Sequence, residues 1–475
     1  MRILLLLFTC FAILSCSSTP RPTINYSATQ QSCVYELIQF KQTVKTQGVQ
    51  DAQLFWSPDY PSFAFDRFSV ALTPQLTSDQ SKTQWLNHVS RQAEIQRTIE
   101  YQNLRNKQAI DFESQERCAK QLTTSLATND QFWSQLQQHP PIITSNYQNW
   151  QRIIGLYPIS KYFATPSIHK EKKRILSGFI EPEDDYTITY ATPNKPNLSQ
   201  QEIQSWFTQA TINSDLRWPL LTDDQLTQLL AFYTPEFRVE SVSLDDKPGL
   251  ITYVSDDQAA VNTNEPIVYV DHSFTQFHGR ILLQLNYSLW FANRTAKSSF
   301  DPYAGKFDGV LFRLTLDEQG KPYILDSIHH CGCYHMVFAL NEVLQFAPTS
   351  AKIESPTSLH IYRPQSADIL KISVSNGEHM IKDVHWGKSS PFARHLTSLN
   401  YQTLRSLPTP NGQNKSLFDQ NGMLLSSERL ERFYLWPFGV VSPGTTRQIG
   451  QHAVAFIGER HFDDANIFDT LFLNP

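Results

Sequence analysis

Residues 329–335 concentrate the side chains of this chain that are best suited to chemistry. They read His-His-Cys-Gly-Cys-Tyr-His. These seven positions hold three of the 14 histidines and two of the six cysteines in the 475 residues. Imidazole and thiolate groups bind soft metals, attack electrophilic carbon and exchange disulfides. We therefore expect a catalytic or metal site to be centred on this stretch.

A metal site is the first interpretation, and geometry limits it. An extended segment places His329, Cys331, Cys333 and His335 on one face, but it spans about 20 Å at ~3.3 Å per residue. Zinc holds its ligands at ~2.0–2.3 Å. All four residues can bind one ion only if the chain curls at Gly332. Alternatively, two or three of them bind the ion together with a remote ligand, for which His461 is preferred because it lies in a predicted strand-to-helix loop. Zn or Cu is the expected metal.

A thiol nucleophile is the second interpretation. Cys333 or Cys331 would be the thiolate, and His335, His330 or a remote histidine the base. A Cys331–Cys333 disulfide, structural or redox-active, is the third, and it also needs a turn at Gly332. In the fourth interpretation, the cysteines fill space in the core and the histidines are hydrogen-bonded structural residues. Asp326 precedes the cluster, and its carboxylate could orient an imidazole.

The stretch Gly332-Cys333-Tyr334-His335-Met336 resembles the cysteine signature of bacterial L,D-transpeptidases, which remodel peptidoglycan. That family has Ser-His-Gly before its cysteine and Arg two residues after it. Here Cys331-Gly332 precedes and His335 follows. The resemblance implies a Cys-dependent peptidoglycan-modifying enzyme as an alternative function.

The N-terminus resembles a bacterial lipoprotein signal. Arg2 is followed by a short apolar run that ends in Ile-Leu-Ser-Cys at Cys16. The resemblance implies that residues 1–15 are removed, that Cys16 is lipidated, and that residues 16–32 form a tether. Ser17 is not the Asp of the enterobacterial pattern, which implies delivery to the outer membrane. We expect a periplasm-facing protein that binds the membrane through its N-terminal lipid.

An oxidising compartment favours cystine formation. Once Cys10 and Cys16 are set aside, proximity along the chain favours a disulfide between Cys33 and Cys118, which leaves Cys331 and Cys333 for the site. The net charge is −5, and the longest basic block is Lys170-Glu-Lys-Lys-Arg174, interpreted as a solvated face. These features argue against a nucleic-acid partner.

Glycine usage divides the chain into two predicted domains. Only Gly48 precedes residue 155, and Pro and Gly are both absent between Pro74 and Pro140. This predicts a helical domain over residues 33–178. Alternating apolar residues predict an α+β domain over residues 179–475 with a mainly antiparallel sheet.

Particular elements of the second domain are predicted from local patterns. The clearest strand is 280–291, whose Gln284, Asn286 and Ser288 either line a pocket or face water. A hairpin over residues 310–328 leads directly into the Cys/His cluster. Further predicted elements are helices at 199–210, 223–233 and 463–472 and strands at 186–191, 239–244, 250–254, 267–270, 360–363, 369–374 and 453–457.

These patterns together predict an α+β outer-membrane lipoprotein. Its expected function is that of a Cys/His-centred metal-binding hydrolase acting on an envelope substrate. The competing function is a non-catalytic scaffold that binds an envelope protein or peptidoglycan.

Overall fold

The computed structural model describes residues 24–473 except 109, 180–185, 213, 349, 351 and 364–367. The predicted signal, Cys16 and the first part of the tether therefore lie outside the described residues. Within the described ranges, no helix is both long enough and apolar enough to cross a membrane.

The fold is α+β, as predicted, with helices concentrated in the N-terminal part. The Gly- and Pro-free stretch does not form one long helix. Its first helix ends at Asn103, and new helices begin where Asp111 and Asn129 accept hydrogen bonds from backbone N–H groups of the next turn. The helices are α1 (Ala28–Thr46), α2 (Arg67–Ala71), α3 (Asp79–Asn103), α4 (Phe112–Ala127), α5 (Asp130–Gln138), α6 (Asn149–Ile154), α7 (Tyr157–Gly178), α8 (Gln200–Ile212), α9 (Asp223–Tyr233) and α10 (Arg432–Leu435).

A disulfide joins Cys33 on α1 to Cys118 on α4, which confirms the predicted pair. The two cysteines pack with Leu37, Ala119 and Leu122 in a small buried cluster. The bond closes a loop with a sequence separation of 85 residues. Closing so long a loop reduces the entropy of the unfolded chain substantially.

The strands are β1 (Phe55–Trp56), β2 (Ala64–Phe65), β3 (Thr187–Ala191), β4 (Glu236–Glu240), β5 (Leu250–Ser255), β6 (Gln258–Asn262), β7 (Ile267–Phe277), β8 (Arg280–Arg294), β9 (Gly305–Leu316), β10 (Pro322–His329), β11 (Met336–Ala339), β12 (Thr357–His360), β13 (Ile369–Val374), β14 (Ile381–Gly387), β15 (Arg394–His395), β16 (Thr397–Asn400), β17 (Leu407–Pro408) and β18 (Asn414–Lys415). The largest sheet of the described chain has the order β12-β11-β10-β9-β8-β7-β16. Strands β7 to β11 pair antiparallel, and the outer strands β12 and β16 pair parallel. A second sheet has the order β14-β13-β4-β3-β15.

Strand β8 confirms the predicted strand and lies near the centre of the large sheet. Residues 281–291 are buried on both faces. Gln284, Asn286 and Ser288 therefore do not face water, and they hydrogen-bond to neighbouring side chains of the sheet instead. The predicted hairpin is also present, as β9 and β10.

The main hydrophobic core includes residues from both predicted domains. Trp85 of α3 belongs to the same buried cluster as Trp218, Phe274 of β7 and Phe312 of β9. The division at residue 178 stays a prediction, but packing is continuous across it.

Two predicted elements are wrong. The predicted helix 463–472 is reduced to a 3₁₀ turn at Ile467–Thr470, because the Ala465 carbonyl accepts hydrogen bonds from Thr275 and Gln276 of β7. The predicted strand 453–457 is an irregular segment. The Ala455 carbonyl accepts a hydrogen bond from Tyr147 Oη and not from the backbone of a neighbouring strand.

Other predicted strands are displaced along the chain. The strand expected at 360–363 is β12, which ends at His360, where its register with β11 ends. The strand expected at 239–244 ends at Glu240, and Leu244–Asp246 forms a 3₁₀ turn.

Candidate functional site

The Cys/His segment curls at Gly332 directly after β10 ends. The Gly332 N–H donates to the His329 carbonyl at 2.8 Å, and the His329 N–H donates to the Cys333 carbonyl at 3.0 Å. Gly332 has φ +87°, and Tyr334 also lies in the left-handed region with φ +58°. The expectation that Gly332 permits a turn is therefore confirmed.

Neighbouring backbone fixes this turn from three sides. The His330 N–H donates to Gly309 on β9, and the His330 carbonyl accepts from the Arg447 N–H at 2.7 Å. The Ala453 carbonyl lies so close to Gly332 that a Cβ there would be 2.4 Å from the oxygen. The turn is thus specified by both conformation and space.

The curl distributes the three imidazoles to three different partners. His330 Nε2 lies 2.9 Å from the Ser288 Oγ of β8, and its ring packs on Trp290. Burial, followed by the charge of His452, holds the pKa of His330 well below its usual range. The structure therefore places His330 as a neutral imidazole inside the sheet.

His335 lies against Asp326, with 3.5 Å between Nε2 and Oδ2. Asp326 also forms a bidentate ion pair with Arg313. Burial lowers the pKa of His335 to about 4, although Asp326 acts in the opposite direction. The expected orienting role of Asp326 therefore has a geometric basis at His335.

His329 belongs to a buried group around Asp308. Its Nδ1 is 3.8 Å from Asp308 Oδ1, while Asp308 also binds Arg429 at 3.0 Å and His379 at 2.8 Å. Burial favours the protonated Asp308 carboxyl, but the Arg429 charge and the histidine hydrogen bonds outweigh it and hold its pKa well below the usual range. Asp308 therefore carries a buried negative charge between Arg429 and His379.

Cys331 and Cys333 are free thiols, the first buried and the second half-buried. A hydrogen bond from the Cys333 thiol lowers the pKa of Cys331, against the effect of burial, and the charges of Arg429 and His329 lower it further. The same contact, with burial, raises the pKa of Cys333. These directions favour Cys331 over Cys333 as the thiolate, whereas sequence reasoning put Cys333 first.

The two thiols line a cavity of about 520 Å³. One wall is α7, and the opposite wall includes Glu431 at the start of α10. Glu431 is 3% exposed. Burial, followed by the negative charge of Cys331, raises the pKa of Glu431 to about 8. A neutral carboxylic acid therefore faces the same cavity as a thiolate at pH 7.

Gly444 lies directly against the Glu431 side chain. Gly444 has φ +84°, and a Cβ there would lie 2.2 Å from Glu431 Oε1. The left-handed backbone conformation favours glycine at this position. Arg429, two residues earlier, is 2% exposed, and its Nε and Nη1 have no hydrogen-bond partner among the described residues.

The proposed metal ligands do not form one coordination group. Among the described residues, no three His, Cys, Asp or Glu side chains converge in a way that could hold an ion. His461 has partners of its own, because its Nε2 accepts from the Asn146 N–H and its Nδ1 faces Asp464. The Zn or Cu site stays a prediction.

Sequence reasoning missed Arg429 and Glu431. They lie about 100 residues after the cluster, in a Ser-Glu-Arg-Leu-Glu-Arg run that looks like a solvated charged turn. Arg429 and Glu431 differ from ordinary charged surface residues because they are buried, and no local sequence pattern indicates this burial. Asp308 on β9 is also a residue that no local pattern singles out, and it contacts His329, His379 and Arg429.

The comparisons with known proteins identify no relative. No protein-family model, no curated protein and no solved structure matches the chain.

Proposed function

We propose that the protein is a thiol-dependent acyl-transfer enzyme in which Cys331 is the nucleophile and Glu431 the acid. The observation that carries the proposal is the pairing of a low-pKa thiol with a raised-pKa carboxyl in one cavity. Divergent pKa values of neighbouring groups are typical of acid–base and nucleophilic assignments in enzymes.

The reaction follows from these two groups. The Cys331 thiolate attacks the carbonyl carbon of an amide, the C–N bond breaks, and the leaving amine takes the proton of Glu431. The products of this half-reaction are a thioester on Cys331 and a Glu431 carboxylate. Glu431 then takes a proton from water or an acceptor amine as that group attacks the thioester, which restores the thiolate and the acid.

Arg429 and the group around Asp308 supply the electrostatic setting. Arg429 lowers the pKa of Cys331, while Asp308 holds the Arg429 guanidinium through Nη2. His329 adds an imidazole next to the same thiolate.

A second candidate function is a dithiol redox reaction. It is favoured by the contact of the Cys333 thiol with Cys331, because two thiols at a turn can pass from dithiol to disulfide when a substrate disulfide is reduced. The two candidates differ in their need for Cys333. A redox reaction requires it, whereas acyl transfer requires only its effect on the pKa of Cys331.

We also propose a place in the cell envelope, with Cys16 lipidated, an outer-membrane anchor and a periplasm-facing body. The Cys33–Cys118 disulfide supports an oxidising compartment. An amide of an envelope peptide or of peptidoglycan is then the substrate class.

Mass spectrometry after reaction with activated acyl esters tests the function. The proposal predicts one acyl adduct, mapped to Cys331, which is absent in Cys331→Ala. In the matched variant Cys333→Ala the adduct still forms, but more slowly at pH 7. An ordinary thiol of pKa ≈ 8.5 is only about 3% thiolate there. An adduct on Cys333 alone, or none on either thiol, would contradict the proposal, and disulfide reduction that requires both thiols would favour the redox candidate.

A further inference from the structure

Helices α6 and α7 expose a dense apolar surface next to the cavity. Seven large apolar side chains within fourteen residues are 54–76% exposed. They are Trp150, Ile153, Ile154, Leu156, Ile159, Tyr162 and Phe163. Isolated exposed apolar residues are ordinary in proteins, whereas a contiguous group is typical of an interaction site.

The two faces of α7 have different environments. At helical spacing, Ile159, Tyr162, Phe163, Lys170 and Lys173 share one side, and all five are exposed. The opposite side, with Ala164, Ile168, Glu171 and Ile175, lines the cavity. The exposed side therefore continues from an apolar and aromatic half into a basic half.

The charge of this segment is opposite to that of the whole protein. Residues 149–178 have a net charge of +5, although the chain as a whole carries −5. The segment has one acidic residue, Glu171, and six basic residues: Arg152, Lys161, Lys170, Lys172, Lys173 and Arg174. The apolar patch is thus followed along α7 by a basic stretch, in which Lys170 and Lys173 lie on the exposed side.

We propose that this face docks on an anionic lipid bilayer, with α7 lying in the plane of the interface. Tyr162 and Phe163 are exposed beside lysines on one face of α7, and Trp150 is exposed on the neighbouring α6. Aromatic and basic side chains together are the combination that such an interface binds. The aromatic and aliphatic groups enter the boundary of the acyl chains, and Lys170 and Lys173 pair with anionic headgroups.

This contact is separate from the predicted lipid on Cys16 and does not depend on the thiol chemistry. Docking through α7 would also place the cavity, which lies on the other side of the same helix, close to the bilayer surface.

Vesicle flotation tests the proposal, using a chain that begins at Ser17 and so retains every residue that the structure describes. The vesicles are phosphatidylethanolamine with phosphatidylglycerol at low salt, and pure phosphatidylcholine for comparison. We expect binding to the anionic vesicles. Ile153→Asp with Phe163→Asp should lower the partition coefficient at least about tenfold, because two inserted apolar groups are lost.

Lys170→Glu with Lys173→Glu should lower binding by at least about fivefold on anionic vesicles only, since each lysine contributes through headgroup charge. The matched control is Phe392→Asp, which removes a phenylalanine that is 91% exposed. Phe392 lies just before β15, an edge strand of the second sheet. The control should bind like the wild type. Equal melting temperatures establish that the variants remain folded.

Three results would overturn the proposal. The first is absence of wild-type binding, and the second is binding that the α6–α7 substitutions leave unchanged. The third is a dimer in light scattering that these substitutions dissociate, since a second copy of the chain would then be the occupant of the face.

Discussion

Replacing Gly332 by alanine tests whether the turn positions the thiols. Gly332 has φ +87°, and an added Cβ would lie 2.4 Å from the Ala453 carbonyl oxygen. The left-handed conformation costs an alanine about 1–2 kcal/mol. Displacing the neighbouring backbone adds about 1–3 kcal/mol. The expected loss of stability is therefore about 2–5 kcal/mol.

Gly412→Ala is the matched control. Gly412 has φ +82°, but nothing lies within 4 Å of an added Cβ, so this variant has the conformational cost alone. With an unfolding entropy of about 1 kcal/mol/K for a chain of 475 residues, each kcal/mol lowers Tm by about 1 °C. We expect a Tm lower by about 2–5 °C for Gly332→Ala and by about 1–2 °C for Gly412→Ala.

Thiol reactivity should distinguish the two variants more sharply than Tm. A displaced turn separates Cys331 from the Cys333 thiol, so the pKa of Cys331 should rise in Gly332→Ala and stay unchanged in Gly412→Ala. Iodoacetamide alkylation followed across pH, with mass mapping, measures it. Equal Tm values and equal alkylation profiles for the two variants would refute the idea that close packing at Gly332 shapes the site.

Further predictions concern the disulfide, the acid and the buried carboxylate. Cys33→Ser with Cys118→Ser should lower the free energy of unfolding by about 2–5 kcal/mol, and an unchanged urea midpoint would count against the structural role of the bond. Glu431→Gln should abolish acyl transfer in activity assays, whereas Cys331 should still be alkylated. Because the pKa of Glu431 is raised in the folded state, its ionisation destabilises the wild type as pH rises, and the variant should melt no lower than the wild type at pH 9. Asp308→Asn should lower stability at pH 7 by about 3–5 kcal/mol, a loss that shrinks below about pH 4 because the wild-type carboxylate stabilises only above its depressed pKa; a pH-independent difference in thermal melting would contradict this.

Local sequence patterns were sufficient where neighbours along the chain determine structure. The alternation in β8, the hairpin before the cluster and the cystine between α1 and α4 follow from periodicity, turn residues and proximity. The need for a turn at Gly332 also followed from the length of an extended segment, which is too great for His329 and His335 to meet at one site. The failure at 463–472 has the opposite cause, because the Ala465 carbonyl bonds to β7, about 190 residues earlier.

The site was only partly predictable for the same reason. The cluster revealed where the thiols lie, but the lowered pKa of Cys331 depends on its hydrogen bond with Cys333 and then on the charge of Arg429, and the acid depends on burial of Glu431. His330 and His335 were attractive bases by position, yet the fold pairs them with Ser288 and Asp326. Contacts between distant segments decided each of these roles.

The pH dependence of alkylation decides whether Cys331 is the reactive thiol. Residue-resolved mass spectrometry with limiting iodoacetamide would give the apparent pKa of each thiol in the folded protein. We expect Cys331 to titrate well below the usual thiol range and Cys333 above it, with the Cys331 value rising in Cys333→Ala. A Cys331 pKa at or above the ordinary value of about 8.5 would rule out Cys331 as the activated nucleophile.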